Sequence, residues 1–415
     1  MALIFQDFIY RLLLWLLLPF IPLRLFWRGL KERGYWQHIP ERFGSGRARD
    51  GRAVWFHAVS VGEVRAAAPL VERFLARGKP VLLTCMTPTG RTTAQQLFGA
   101  RVQVRYLPYD YAWAMRRFLR NAQPARGIIM ETELWPNLVR ESKRAGVPLY
   151  LVNARLSEKS AAGYRKFSAL TRTALQGFSA VAAQTEADAA RLAALGAANA
   201  VVCGNLKFDI EPPPALLELG QRFRSLCGRR PIWLAASTRD DEEKLILQAF
   251  RNAAPAEALL VLVPRHPQRF DEVAQLVRSF NLSLQRRSEN APVQESTRVW
   301  LGDSLGEMFA YYGAADSALI GGSLLPYGGQ NLIEACAVGC PVLIGPHTEN
   351  FKLVAEQAVE QGAALRVADA AEWLARAAEL SGNGALRQRM SEAGRQFSGS
   401  HKGAADRVFQ WLAVA

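Results

Sequence analysis

The stretch Ala318-Leu319-Ile320-Gly321-Gly322-Ser323-Leu324-Leu325-Pro326-Tyr327-Gly328-Gly329-Gln330-Asn331-Leu332-Ile333-Glu334 decides the fold. Its first three residues read as a buried parallel strand. The Ala-rich run ending at Gly339 reads as a helix, and Cys340-Pro341-Val342-Leu343-Ile344 as the next strand. A glycine-dense loop between strand and helix lets backbone N–H groups and a helix N-terminus approach an anion without Cβ interference. Glu334, read about one turn into that helix, can direct its carboxylate back and accept from both hydroxyls of a ribose. The spacing favours a nucleotide site. The structural alternative is a tight loop with Glu334 as a dipole-favoured first-turn acid.

Outward from this unit the same alternation recurs. Strands are expected over 232–236, 259–263, 299–301, 317–320, 342–344 and 364–367. Before residue 211 they are expected over 53–58, 80–85, 102–107, 127–130, 148–152, 181–183 and 200–203, with helical runs over 64–76, 112–121 and 134–145. Short apolar runs separated by amphipathic helices predict parallel, doubly wound sheets. The pattern breaks at Glu211-Pro212-Pro213-Pro214, a stiff extended segment, and then restarts. Two Rossmann-like domains facing a cleft follow, residues 51–210 and 211–415, the second carrying the C-terminal helices. The helical tail over 386–413 is expected to pack back on the first domain.

The bulk numbers narrow the function. At 415 residues the chain is too long for one ordinary core. Its net charge of +14 predicts acidic partners: a phosphorylated substrate, anionic lipid or nucleic acid. No RNA-binding signature or zinc-knuckle spacing is present, so nucleic acid ranks last. Five scattered cysteines without Cys-x-x-Cys fit a reducing compartment.

Residues 1–50 form a distinct segment. Twelve apolar residues, Leu12 to Leu23, lie between Arg11 and Arg24, too few for a spanning helix of about 20. Pro19 and Pro22 interrupt them, and Arg24, Arg28, Lys31 and Arg33 follow, with Trp15, Trp27 and Trp36 nearby. This composition predicts an interfacial membrane anchor on the cytoplasmic leaflet. A tilted span from Ile4 to Trp27 and a helix packed on the soluble domain are the alternatives.

Several strand ends carry chemistry. After the first strand comes His57-Ala58-Val59-Ser60-Val61-Gly62-Glu63, where a dinucleotide fingerprint would place Gly-x-Gly-x-x-Gly. Ser60-x-x-Glu63 matches a capping box, yet a carboxylate at this position also suits a general base. As a base it needs desolvation to offset the pKa-lowering helix N-terminus. Met130-Glu131-Thr132-Glu133-Leu134-Trp135-Pro136-Asn137 ends another strand, and Glu131 is the nearer of its two acids. Lys207, in Gly204-Asn205-Leu206-Lys207-Phe208-Asp209, either neutralises an anion or pairs with Asp209. In the second half, Arg265 of Val263-Pro264-Arg265-His266-Pro267 is shaped for a phosphate oxygen. Leu305-Gly306-Glu307 is expected to open a helix capped by Asp303 or Ser304, and Ser237-Thr238-Arg239 to line the cleft. His347 reads as a loop residue. With no His-x-x-x-His, Asp-x-Asp or Walker lysine, phosphate handling falls to Arg, Lys and helix termini, and no metal is expected.

Together, residues 57–63, 131–137, Asn153-Ala154-Arg155-Leu156-Ser157, 206–209, 264–267 and 321–334 resemble the 3-deoxy-D-manno-octulosonic acid (Kdo) transferases of lipopolysaccharide biosynthesis. The resemblance spans essentially the whole chain. It implies a GT-B fold, CMP-Kdo as donor, a tetraacylated lipid A precursor as acceptor, an inverting reaction and a place at the cytoplasmic face of the inner membrane. It also implies Glu63 as catalytic base and Glu131 and Lys207 as transition-state stabilisers. Pro264, Arg265, Leu305, Gly306, Glu307, Asn331, Leu332, Ile333 and Glu334 are implied as CMP contacts. Tyr327-Gly328-Gly329-Gln330 departs from relatives that carry a charged residue and a histidine there. Two rival readings are a GT-B transferase with a UDP-sugar donor and a non-catalytic, membrane-bound nucleotide sensor. Competition of CMP against UDP, and labelled sugar reaching lipid, separate them.

Overall fold

A computed structural model describes residues 2–47, 49 and 51–414. The chain divides into two compact units, one running up to Asp209 and joined by the segment from Gly403 onward, the other Ile210–Lys402.

The first unit holds seven strands: β1 Val54–His57, β2 Val81–Cys85, β3 Val102–Tyr106, β4 Arg126–Met130, β5 Leu149–Ala154, β6 Ala180–Ala183 and β7 Ala200–Val202. They pair in the order β3-β2-β1-β4-β5-β6-β7, every pair parallel. Strands buried on both faces carry apolar runs, as in Val54–Phe56 and Leu149–Val152. Alternate side chains feed two cores. Phe56, Leu83, Met130 and Val152 enter one, and Trp55, Leu82, Ile129 and Leu151 enter the other. Each fully buried Leu, Ile or Phe contributes roughly 1.5–3 kcal/mol relative to exposure.

The second unit repeats the plan with β8 Ile232–Thr238, β9 Leu259–Pro264, β10 Leu284–Arg286, β11 Val299–Leu301, β12 Ser317–Ile320, β13 Val342–Ile344 and β14 Ala364–Arg366. The order is β10-β11-β9-β8-β12-β13-β14, again wholly parallel. Strand order reverses at β1/β4 in one sheet and at β8/β12 in the other, the positions where doubly wound sheets bind ligands. β10 was not expected. It is a half-buried edge strand of Leu-Gln-Arg, without the apolar run that reveals its neighbours.

The helices of the first unit include α1 Ala2–Leu17, α2 Phe20–Lys31, α3 Val61–Ala76, α4 Pro88–Phe98, α5 Ala112–Ala122, α6 Pro136–Arg144, α7 Glu158–Arg165 and α8 Ser168–Leu175. No single helix is long and apolar enough to cross a membrane among the described residues. α1 and α2 form one bent apolar pair, turned by 56° where Pro19 interrupts the backbone ladder. One side of α1 packs on the first unit: Tyr10 Oη donates to Asp110 Oδ2 (2.6 Å), Tyr111 Oη to the Leu14 carbonyl (2.6 Å), and Arg140 pairs with Asp7. Another side leaves Ile4, Phe5, Phe8, Leu12 and Leu16 exposed.

The C-terminal tail corrects the expected boundary. Gly384–Ser400 belongs to the second unit, and only the last helix, Ala404–Val414, joins the first. Val408 and Leu412 enter the β1–β5 core, and Asp209 accepts from the Gly403 and Ala405 N–H groups (3.0 and 2.7 Å). Residues 403–414 therefore complete the first unit instead of the second.

Candidate active site

At the β1/β4 switch point three charged residues meet. Glu63 sits in the first turn of α3, whose N-cap Ser60 is extended. The expected capping box forms in altered form. The Ser60 side chain caps no N–H; its Oγ donates to Glu63 Oε1 (3.1 Å), and Glu63 Oε2 accepts from the Val59 N–H (2.8 Å). Glu63 is 8% exposed. Burial pushes its carboxyl up to about 7 and outweighs the lowering by Val59 and Ser60, while the charges of Glu131 and Glu133 push the same way. The helix N-terminus thus loses to desolvation. A carboxyl poised near neutrality is suited to proton transfer. A Cβ on the nearby Gly90 would lie 2.9 Å from Thr87 Oγ1, the side chain that caps α4. His57, in the same motif, is fully buried with Nδ1 on the Thr84 carbonyl (3.1 Å), and burial lowers it to about 4. It is a neutral strut for β1 and β2.

Glu131 follows β4 with a left-handed backbone (φ 58°), turning the chain so that it and Glu133 part. Glu131 Oε1 meets Lys207 Nζ at 2.5 Å, whereas Glu133 Oε2 accepts from Trp135 Nε1 (2.7 Å). Burial raises the Glu133 carboxyl. Asp209 is committed to the last helix, so Lys207 pairs with Glu131 instead. What aims Lys207 is Asn153. It too is left-handed (φ 57°), at a register shift in β5, and its Oδ1 accepts from the Leu206 N–H (2.9 Å). Asn205 Oδ1 then accepts from the Lys207 N–H (2.9 Å). Asn153 lies in one of the runs that carried the resemblance, but its anchoring task had no signal in spacing.

The second unit presents a glycine cradle. A Cβ on Gly321 would stand 2.4 Å from the Ser237 carbonyl oxygen, so only glycine fits where β12 passes the left-handed Ser237 (φ 56°). Glu242, fully buried and overlooked in the sequence, organises the loop. Its Oε2 accepts from the Gly322 and Arg239 N–H groups (2.6 and 2.9 Å), and Oε1 from the Leu324 N–H (3.0 Å). Asn331 Oδ1 accepts from the Ile333 N–H (3.0 Å), and its Nδ2 reaches Glu334 Oε1 (3.4 Å). Glu334 is the second residue of the helix Ile333–Val338, earlier than the full turn expected, because the loop runs on through Leu332. Arg265 is exposed after β9, and its backbone N–H donates to the Thr238 carbonyl (3.0 Å). The charges of Arg265 and Glu334 both bear on the buried Tyr312 phenol, which brings β9 and β12 loop residues into one neighbourhood.

The segment 305–307 differs from expectation. The helix there is the short Met308–Ala314, with Glu307 at the N-cap position and no side-chain cap. Asp303 instead binds Ser288, and Ser304 Oγ donates to Glu307 Oε2 (2.5 Å), while Glu307 Oε1 pairs with Arg287 (3.0 Å). Leu305 is 72% exposed and Gly306 left-handed, so both lie open to a ligand. Pro264 and Leu332 are buried and support the loops. His347 lies in a loop, 3.7 Å from Glu349. Among the described residues no three His, Cys, Asp or Glu side chains gather as metal ligands.

Comparison with known proteins fits these observations. Residues 37–210 match the family model described as 3-deoxy-D-manno-octulosonic-acid transferase (kdotransferase). A 3-deoxy-D-manno-octulosonic acid transferase of Bordetella pertussis is 44% identical across 97% of this chain and 98% of the relative. One from Haemophilus influenzae is 39% identical across 96% of each. Among solved structures, a glycosyltransferase from Rickettsia africae overlays with a TM-score of 0.60 at 12% identity, covering 88% of this chain and 98% of that one. The UDP-GlcNAc 2-epimerase of Neisseria meningitidis bound to UDP-GlcNAc overlays at 0.57 and 13% identity, covering 88% and 100%. Those two likenesses are of fold alone: α/β units built on parallel sheets, the plan of GT-B glycosyltransferases. With the full-length relatives above, the chain belongs to the 3-deoxy-D-manno-octulosonic acid transferase family and is a glycosyltransferase of lipopolysaccharide biosynthesis.

Proposed function

We propose that this enzyme transfers Kdo from CMP-Kdo to a hydroxyl of an acylated lipid A precursor with inversion, Glu63 acting as base. The observation that carries the reading is the Glu63 carboxyl, buried, raised to about 7 and set beside the Glu131–Lys207 pair at a sheet switch point. The base takes the proton of the acceptor's primary hydroxyl as its oxygen bonds the anomeric carbon. The bond from that carbon to the phosphate oxygen breaks, and CMP departs with the electron pair. Lys207, held by Glu131, offsets charge in the transition state. Arg265, the 305–307 loop and the Asn331–Glu334 turn hold CMP, with Glu334 on the ribose and Arg265 on the phosphate. A single phosphate leaves, so fixed cations suffice for its charge, and we propose that no metal takes part.

The exposed apolar faces of α1 and α2, with Arg24, Arg28 and Lys31 on α2 and Arg33 just after it, support an interfacial anchor at the cytoplasmic face of the inner membrane. Glu63→Gln tests the role of the base. It keeps an oxygen for the Val59 N–H and is expected to bind CMP-Kdo while transfer falls by roughly 10²–10⁴. Near-normal turnover by the bound variant would sink the assignment.

A further inference from the structure

Between α1 and α8 the first unit holds an apolar cavity of about 230 Å³. Ile9 and Leu13 of α1, Leu134 and Tyr164, and Leu170 and Ala174 of α8 wall it. A groove of about 420 Å³ adjoins it, sharing Pro136, Leu170 and Ala174, and its other lining includes Arg140, Lys143 and Arg144 of α6. Together they form an amphiphilic trough, apolar at one end and cationic at the other. α1 therefore presents two apolar faces: Ile9 and Leu13 line the trough, whereas Ile4, Phe8 and Leu12 are exposed elsewhere on the helix.

The apolar end adjoins the candidate active site. Leu134 follows Glu133 in sequence, and the Tyr164 phenol lies within the field of the Glu133 carboxylate. That carboxylate in turn acts on Glu63. A chain seated here thus belongs to a molecule whose reacting end lies near the base, which a bulk phospholipid touching only the outer face of α1 does not require. The cations match an anionic head. Asp7 is shared by Arg140 and Arg11, and Glu141 by Arg144 and Arg116, so cations outnumber acids here, and Lys143 adds an exposed positive charge.

We propose that this trough binds one acyl chain of the acceptor lipid, with an acceptor phosphate against the Arg140–Lys143–Arg144 side, and so measures acceptor acylation. The proposal rests on the acceptor reading above.

The test uses the full-length enzyme and a tetraacylated glucosamine disaccharide bisphosphate, beside an analogue with shortened chains. Ala174→Phe and Leu170→Trp, which fill the cavity, are expected to raise KM for the tetraacylated acceptor at least tenfold. The rise should be smaller for the short-chain analogue, with KM for CMP-Kdo within twofold. An equal rise for both acceptors, or none, overturns the trough. Wild-type enzyme provides a second arm that no folding defect can blur. An acceptor carrying a photoreactive diazirine at an acyl terminus should label peptides containing Leu170 or Ala174 of α8. Labelling confined to Ile4, Phe8 and Leu12 overturns the proposal in favour of simple bilayer contact. If wild-type enzyme transfers Kdo to neither acceptor, the acceptor reading fails and takes the trough with it. If it transfers normally while KM and labelling contradict the pattern, the trough alone fails.

Discussion

The Glu63 carboxyl gives the sharpest prediction, because burial and two neighbouring carboxylates push its pKa in one direction. Burial lifts the carboxyl from 4.5 to about 7, a shift worth about 3 kcal/mol against ionisation. If Glu63 must be ionised to act, kcat/KM carries an acid limb near pH 7. About half of the molecules are then active at pH 7, about one in eleven at pH 6 and about one in a hundred at pH 5. An ordinary carboxyl at 4.5 would leave about 97% ionised at pH 6. The two cases differ roughly tenfold at that pH, well beyond assay error. Initial rates with labelled CMP-Kdo at constant ionic strength, from pH 5 to 9, measure the limb directly. Glu131→Gln should shift the limb downward, since it removes a negative charge that raises Glu63 and leaves Lys207 unpaired nearby. A wild-type profile flat to pH 5.5, or an upward shift in Glu131→Gln, would refute the reasoning.

The same shift has a stability consequence of defined sign. A raised carboxyl favours the folded state below about pH 4.5, and this contribution is lost as pH rises through 7. Glu63→Gln should therefore raise the Tm of the first unit's transition at pH 8 but not at pH 4.5, as scanning calorimetry would show. Gly321→Ala places a methyl 2.4 Å from the Ser237 carbonyl oxygen. The loop must shift, and CMP affinity by titration calorimetry should fall at least tenfold while the first unit's transition stays put. Glu242→Gln trades one accepting oxygen for a donor facing the Leu324 N–H or the Gly322 and Arg239 N–H groups. A loss of roughly 2–5 kcal/mol in the second unit's stability is expected from urea denaturation. Asn153→Ala removes the hold on the Leu206 N–H and strains a left-handed residue. It should lower kcat more than the KM for CMP-Kdo, because Lys207 is displaced while the nucleotide loops stay intact.

The parallel sheets were legible because strands buried on both faces are written as unbroken apolar runs, as at Val342–Ile344. β10 escaped because an edge strand needs no such run. Of the candidate site, Glu63 and Glu131 stand out in the sequence by their positions after strands and Lys207 by its place before the proline-rich linker, properties of local order. Their partners were not legible in that way. Whether Lys207 answers Glu131 or Asp209 depends on Asn153 and on a helix that begins almost 200 residues later, and no local pattern records such contacts. Glu242 was passed over for a related reason. Three residues after Arg239 it looks like an ordinary first-turn acid, and only the fold brings Gly322 and Leu324 to its carboxylate. The bent α1–α2 pair was foreshadowed by Pro19, but which face of α1 packs inward was set by Asp110, Tyr111 and Arg140, far along the chain.

The most direct test of the central claim is transfer of labelled Kdo from CMP-Kdo to purified tetraacylated lipid A precursor, by full-length enzyme, with and without EDTA. Transfer is expected to survive chelation, with a product heavier by whole Kdo residues and of inverted anomeric configuration. Tight CMP binding by folded enzyme with no sugar reaching the lipid, or transfer abolished by EDTA and restored by a divalent metal, would contradict that claim.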